Sequence, residues 1–321
     1  MRGADCWVLT DGKAGTENQC LGLADALAPA VTVKRLAPRV PWRWAPASLW
    51  TLPWGGIPLR LFRGDDPLAA PWPRLLIASG RPSVGPALAI RRASKGSTFC
   101  VQLQDPRVSP RHFDLVAAPR HDHLAGPNVL ATRGALHRVT AAKLAHAAEH
   151  FGPRYAHLPR PRVAVLIGGT SKHYRLTQSV AERLGRDLRA LSDETGAGLM
   201  VTASRRTGSD NERTLRLALE GVAAEFWDGE GENPYVGFLA LADHIIVSED
   251  SVTMTSEAAS TGKPVYIIAL EGGAAKFREF HESLLADGVT RPFTGALESW
   301  SYTPLDDTRR VADEVRARLA L

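Results

Sequence analysis

A chain of 321 residues, 44% hydrophobic and 23% charged, has room for two globular domains of about 150 residues, each burying its own core. The net charge is only +5, arginine supplies 32 of the 39 basic residues, and like charges form no long block, which argues against nucleic acid as a partner. From three cysteines without a Cys-x-x-Cys pair, a short polar N-terminus and the lack of a long apolar run we expect no disulfide framework, thiolate metal site, signal peptide or membrane span. The same features lead us to expect a cytoplasmic protein.

In chain order, Cys6–Thr10 reads as a strand, Asp11–Gly15 as a loop, and Thr16 with Gln19 as a capping box opening a helix that runs to about Ala28. Strands follow at Val31–Arg35, Leu75–Ala78, Thr98–Leu103 and Leu115–Ala118, and a helix from about Thr140 to Phe151. Three prolines in Gly152–Pro161 suggest a linker, dividing the chain into domains 1–155 and 156–321. The pattern then restarts with strand Arg162–Ile167, a helix from about Thr177 to Glu194, strand Gly198–Val201, another helix and the short strand Glu225–Trp227. Helices at Lys276–Ala286 and Thr308–Leu319 close the chain, and the last of them is a candidate to fold back on the first domain. Strands alternating with helices imply an α/β protein with parallel sheets, since parallel neighbours need long crossovers.

Between Pro41 and Pro73 lie Trp42, Trp44, Trp50, Trp54 and Trp72, with Arg43, Arg60 and Arg63 among them. Such a segment is either a packed insertion or an amphipathic patch for peripheral contact with the inner face of a membrane, centred on Trp42–Trp54.

The most informative stretch is Ala242–Leu270. Ile245–Val247 reads as a buried strand, Ser248–Glu249–Asp250–Ser251 as the loop at its end, Val252–Thr261 as a helix closed by Gly262, and Val265–Ile268 as the next strand. A strand feeding a polar loop and a helix start leaves backbone N–H groups unpaired and aimed at one spot, where the macrodipole adds positive potential suited to phosphate. Glu257, about a turn and a half into that helix, is placed to accept hydrogen bonds from a ribose, so the stretch predicts a nucleoside-diphosphate pocket. Met254 and Ser256 belong to the same candidate surface.

Ligands of open parallel sheets bind beyond the carboxyl ends of the strands. The loops there hold the other candidates: Asp11, Gly12, Lys13 and Gly15; Gly80–Arg81–Pro82–Ser83; Gln104 and Asp105; His121 and Asp122; Gly168, Gly169, Thr170 and Ser171; Arg205 and Arg206. Neither the Walker spacing nor G-x-G-x-x-G occurs, which disfavours nicotinamide and flavin cofactors. Gly168–Ser171 is either a diphosphate wrap or a tight turn, and Arg205–Arg206 either a phosphate clamp or a solvated pair. Asp11 and Asp105 each follow an apolar strand and are candidate catalytic bases, with capping or turn formation as the alternative role. No ligand set for a metal is evident.

Trp7–Leu27, the SGRPS loop Ser79–Ser83, Val101–Arg107, Thr132–Thr140, Ile167–Tyr174 and Val247–Val265 together resemble the bacterial branch of the mitochondrial-fission "elongated mitochondria" family, whose bacterial members carry glycosyltransferase names. That family is similar to glycosyltransferases of the B fold. The resemblance implies two Rossmann-like domains facing a cleft, a donor held by the second domain at Ser251–Glu257 with Glu257 on the ribose, and an acceptor near Asp11–Gly15 and Gln104–Asp105. It implies transfer of a sugar from a nucleotide-sugar to a cell-envelope glycan or lipid-linked acceptor, without a bound metal or other cofactor. The chain departs from better-known transferases in lacking a histidine in its first glycine loop. A plant relative recruits a dynamin-like protein, so a non-catalytic adaptor is the first alternative and a nucleotide-sugar epimerase the second.

Overall fold

The computed structural model describes residues 6–27, 30–38, 49, 62–64, 68–227 and 229–319. Trp42, Trp44, Trp50 and Trp54, and with them the expected membrane patch, lie outside these residues. Trp72 is described and packs edge-on against Trp7 at 6.1 Å. The chain divides into two compact units, Met1–Arg138 joined by Asp306–Leu321, and Val139–Leu305.

The first unit contains β1 (Cys6–Thr10), α1 (Ala14–Leu27), β2 (Val31–Pro38), β3 (Phe62–Gly64), β4 (Leu75–Ser79), α2 (Arg81–Ala93), β5 (Phe99–Leu103), β6 (Leu115–Pro119) and β7 (Val129–Thr132). Its sheet runs β3-β2-β1-β4-β5-β6-β7 and is parallel except where β3 meets β2. All five residues of β4 are buried, as expected of a central parallel strand covered on both faces. Helix α1 starts at Ala14, two residues before the expected cap. Thr16 therefore lies inside the helix, and its hydroxyl donates to Lys13 O and Asp11 Oδ1, both at 3.1 Å.

The second unit contains α3 (Ala141–Phe151), β8 (Arg162–Ile167), β9 (Tyr174–Arg175), α4 (Gln178–Thr195), β10 (Gly198–Ala203), α5 (Ser209–Ala218), β11 (Ala224–Phe226), α6 (Tyr235–Leu241), β12 (His244–Ser248), α7 (Val252–Ala259), β13 (Val265–Ile268), β14 (Glu271–Gly272), α8 (Ala275–Ala286) and β15 (Thr290–Pro292). Its main sheet runs β11-β10-β8-β12-β13-β15, all parallel. The boundary differs from the one expected at 155/156. Helix α3 belongs to the second unit because Phe151 packs under Gly237 of α6, where a Cβ would sit 2.5 Å from the ring. The expected linker is packed as well, with Tyr155 and Leu158 buried in that unit's core.

Both sheets are doubly wound. The strand order reverses between the first strand of each main sheet, in chain order, and the fourth, at β1/β4 and at β8/β12. Such a reversal opens a crevice at the carboxyl ends of the two strands, the usual ligand position in this architecture.

The last helix, α9 (Asp307–Leu319), belongs to the first unit, where Val311, Ala312 and Val315 join the core formed by Val8, Cys20 and Leu23. Asp307 anchors it: Oδ2 accepts from Arg133 N at 3.0 Å and Gly134 N at 2.9 Å, and Oδ1 pairs with Arg310 at 2.7 Å. Among the described residues no helix is long and apolar enough to cross a membrane. Asp307→Ala strands two backbone N–H groups, so urea unfolding of this variant should show a loss of about 2–4 kcal/mol. Asp307→Asn, which keeps an acceptor oxygen, should lose less.

Candidate functional site

Three residues separate the end of β12 from the start of helix α7, beside the β8/β12 reversal. Ser251 caps it, its hydroxyl accepting from Met254 N at 3.3 Å, and the first helical rung joins Thr255 N to Ser251 O at 3.1 Å. The N–H groups of Val252 and Thr253 precede that rung and have no acceptor within the helix, so the positive end of the dipole carries two outward donors. Glu257 lies just over a turn further along and is only 9% exposed. Its Oε2 accepts from the Tyr235 hydroxyl at 2.6 Å. Burial raises the Glu257 carboxyl to about 7, although the hydrogen bond from Tyr235 pulls the other way. Burial, with the neighbouring carboxylate, pushes Tyr235 well above its ordinary value. Tyr235 carried no signal in the sequence, because Asn233–Pro234 obscured the start of the short helix α6.

The loop residues before α7 divide their roles. Ser248 is fully buried; its hydroxyl accepts from Gly168 N at 2.7 Å and donates to Asp250 Oδ1 at 2.7 Å. The Asp250 side chain is 0% exposed, and Arg206 Nη2 approaches its Oδ2 at 2.7 Å. A Cβ on Gly168 would lie 2.3 Å from that carboxylate, so Asp250 fills the floor of the crevice between β8 and β12. Glu249 turns to the β13 side, where Oε1 accepts from Leu270 N at 2.5 Å. Burial, and secondarily the charge of Asp250, hold the Glu249 carboxyl above the usual range despite that bond. Ser256 is buried with its hydroxyl on Val252 O at 2.7 Å, and Met254 packs against the core.

The loop after β8 is a packed turn and not an open cradle. Thr170 N donates to Arg206 O and Ser171 N to Tyr174 O, at 2.9 and 2.8 Å. The Ser171 hydroxyl accepts from His173 N and Tyr174 N. Gly169 has φ 144°, and a Cβ there would lie 2.1 Å from Arg206 O; glycine is required because the β8 and β10 loops touch backbone to backbone. Ser204 and Thr207 both donate to Gly168 O at 2.6 Å. Arg206 is thus engaged with Asp250, and Arg205 is exposed.

In the first unit the β1, β4 and β5 loops leave adjacent strands at one sheet edge. Asp11 Oδ1 accepts from Lys13 N at 3.2 Å and from Thr16, and Oδ2 pairs with the Lys13 ammonium. Burial alone would raise this carboxyl, but the bonds and charge of Lys13, helped by Thr16, outweigh it and hold it below the usual range. A carboxylate so stabilised is a weak base at neutral pH. Gly12 (φ 78°) makes the turn, with N–H on Thr10 Oγ1 at 3.1 Å; Lys13 and Gly15 are exposed. Gly80 (φ 77°) precedes Arg81, the exposed first residue of α2. Gln104 holds a left-handed φ of 67°, and its amide donates to Gln19 Oε1 at 3.1 Å. Asp105 Oδ1 accepts from Arg107 N at 2.7 Å, and Oδ2 lies 3.1 Å from Arg107 Nε. His121 is buried in a short turn after β6. Among the described residues no cluster of His, Cys, Asp and Glu is placed to hold a metal ion.

The family model described as Mitochondrial fission ELM1 matches residues 14–319. The Arabidopsis thaliana mitochondrial fission protein ELM1 is 35% identical over 275 residues, covering 77% of this chain and 64% of the relative; the chain spans a little under two thirds of that protein's length. A Rickettsia prowazekii (strain Madrid E) protein, described as uncharacterized, is 25% identical over 98% of both chains. Among solved structures, a UDP-GlcNAc 2-epimerase of Methanocaldococcus jannaschii in complex with UDP-GlcNAc and UDP superposes with TM-score 0.56 at 9% identity, covering 98% of this chain and 99% of its own. An S. aureus MnaA–UDP structure gives 0.50 at 13% identity, covering 99% and 97%. At such identities the likeness is one of fold. The chain belongs to the mitochondrial fission ELM1 family and has the α/β, glycosyltransferase-B-like fold of two Rossmann-like domains that nucleotide-sugar epimerases share.

Proposed function

We propose that the protein is a metal-independent glycosyltransferase, moving a sugar from a nucleoside-diphosphate donor to a cell-envelope glycan or lipid-linked acceptor. The carrying observation is the start of α7: two outward N–H donors at the positive end of a capped helix, followed by a buried carboxylate whose partner is one tyrosine hydroxyl. The amides of Val252 and Thr253 take the diphosphate, and Glu257 takes the ribose hydroxyls. As the acceptor oxygen attacks the anomeric carbon and the bond to the diphosphate breaks, the developing charge is met by that helix end without a metal. Asp11 and Asp105, on loops of the first unit, are the candidate bases for the acceptor proton, and each also accepts from a nearby backbone N–H. The epimerases with this fold include one solved with UDP-GlcNAc and UDP, which supports the donor class.

A second reading, a non-catalytic adaptor on the same scaffold, is favoured by the Asp250 side chain, which fills the floor of the β8/β12 crevice where a phosphate would otherwise sit. An epimerase is separated from a transferase by formation of sugar isomers without an acceptor.

Calorimetry with uridine, guanosine, thymidine and cytidine diphosphates should detect binding of at least one, weakened by about tenfold or more in Glu257→Ala. Absence of heat with all four contradicts the proposal. Asp105→Ala should retain that affinity while turnover falls by about 10²–10³.

The pH dependence has a defined sign. Ribose donors favour ionised Glu257, so nucleotide binding expels its proton and affinity should rise with pH up to about 7 and then level off. Without nucleotide, the folded chain keeps a proton that the unfolded chain loses above its ordinary value of 4.5. Stability should therefore fall as pH rises from there to about 7. Glu257→Gln should flatten both profiles.

A further inference from the structure

On the other side of the β12 loop from Asp250, the second unit has a cavity of about 310 Å³, lined by Tyr174, Glu249, Ile267, Arg278, His281 and Leu285 among others. It lies between α8 and the carboxyl ends of β13 and β15, and the β9–β14 pair contributes Gly272 to its wall. A volume of this size is at the lower end for small-molecule sites.

The wall chemistry narrows the ligand. Arg278 and Arg291 contribute two positive charges, Glu249 and Glu282 two negative ones, so the lining has no net charge to attract a simple ion. Arg291 is already committed: it pairs with Glu298 and stacks on Trp300 at 4.4 Å. Arg278 forms no ion pair with a described residue. One Glu249 oxygen accepts from Leu270 N. His281 donates through Nε2 to Glu249 O at 2.8 Å, which fixes the ring, and burial lowers its proton affinity. Tyr174 is pinned edge-on by Phe277 at 5.4 Å. Ile267, Ala269 and Pro292 supply an apolar floor.

An inorganic anion that reached Arg278 would meet the Glu249 carboxylate, and an apolar ligand would cover part of both side chains without offering either a polar partner. A ring carrying hydroxyls around its rim and C–H bonds on its face satisfies donors, acceptors and floor together. We propose that this cavity is a binding site for a neutral monosaccharide unit, with Arg278 donating to ring hydroxyls, Glu249 accepting from them, and the sugar face resting on Ile267 and Ala269. This goes beyond the diphosphate reading and shares with it only the loop that carries Glu249.

Saturation-transfer NMR on the full chain, with glucose, galactose, mannose and N-acetylglucosamine each at millimolar concentration, tests the proposal. Transfer to ring protons of at least one sugar is expected for the wild type and for Glu257→Ala. It should disappear in Leu285→Trp, where an indole from a position 48% exposed fills the cavity without disturbing the core. It should fall at least about tenfold in Arg278→Ala. No transfer from the wild type with any of the four sugars overturns the proposal, as does transfer that is undiminished in either cavity variant or lost in Glu257→Ala. Nucleoside-diphosphate titrations on the same proteins keep the two readings apart: diphosphate heat without sugar transfer sinks only the cavity, and sugar transfer without diphosphate heat sinks only the donor site.

Discussion

The carboxylate of Asp250 is the interaction on which the second unit's functional edge depends. It is removed from water entirely, so its charge must be met from within, and Arg206 and the Ser248 hydroxyl meet it. Ser248 passes the connection to the Gly168 amide, and the Gly168 carbonyl is gripped by Ser204 and Thr207. One buried charge therefore ties together the loops after β8, β10 and β12. The consequences run outward: residue 168 must lack a side chain, residue 169 must let two backbones meet, and the start of α7 is fixed beside the strand reversal. The floor of the usual ligand crevice is filled, which moves the available donor groups up to the first turn of α7.

Asp250 and Glu249 are neighbours in sequence with opposite assignments. One side chain closes the crevice between β8 and β12; the other faces β13 and lines an open cavity. The loop thus separates a rigid, charge-locked half of the sheet edge from an accessible half. In the first unit the corresponding loops carry short-range turns, with Asp11 on Lys13 and Asp105 on Arg107. Their carboxylates are held in place by local contacts, and the left-handed Gln104 turns the chain directly before Asp105.

Much of the fold was legible because central parallel strands are continuous apolar runs. Arg162–Ile167 and Leu75–Ala78 stand out for that reason, and the Thr177 cap and Gly196 terminator bracket α4. Helix α2 was not legible: Pro86 sits inside it, and an interior proline ordinarily argues against a helix. The prolines in 152–161 signal a loop without revealing that Tyr155 and Leu158 are core residues. At the site, the position of Glu257 in α7 was legible, but its burial was not, because five consecutive residues from Thr255 to Ala259 are covered and no helical periodicity marks them. The division of labour in Ser248–Glu249–Asp250–Ser251 was not legible either, since four small or polar residues in a row carry no sign of which one turns inward. The Gly168–Ser171 loop reads equally as a phosphate wrap or as a turn until the acceptors of its amides are known.

A crystal structure with uridine diphosphate bound tests the central claim most directly. The account predicts a pyrophosphate on the Val252 and Thr253 amides, ribose hydroxyls on Glu257, and Asp250 still paired with Arg206. A diphosphate elsewhere on the chain, or Glu257 retaining Tyr235 as its only partner beside a bound nucleotide, would contradict it.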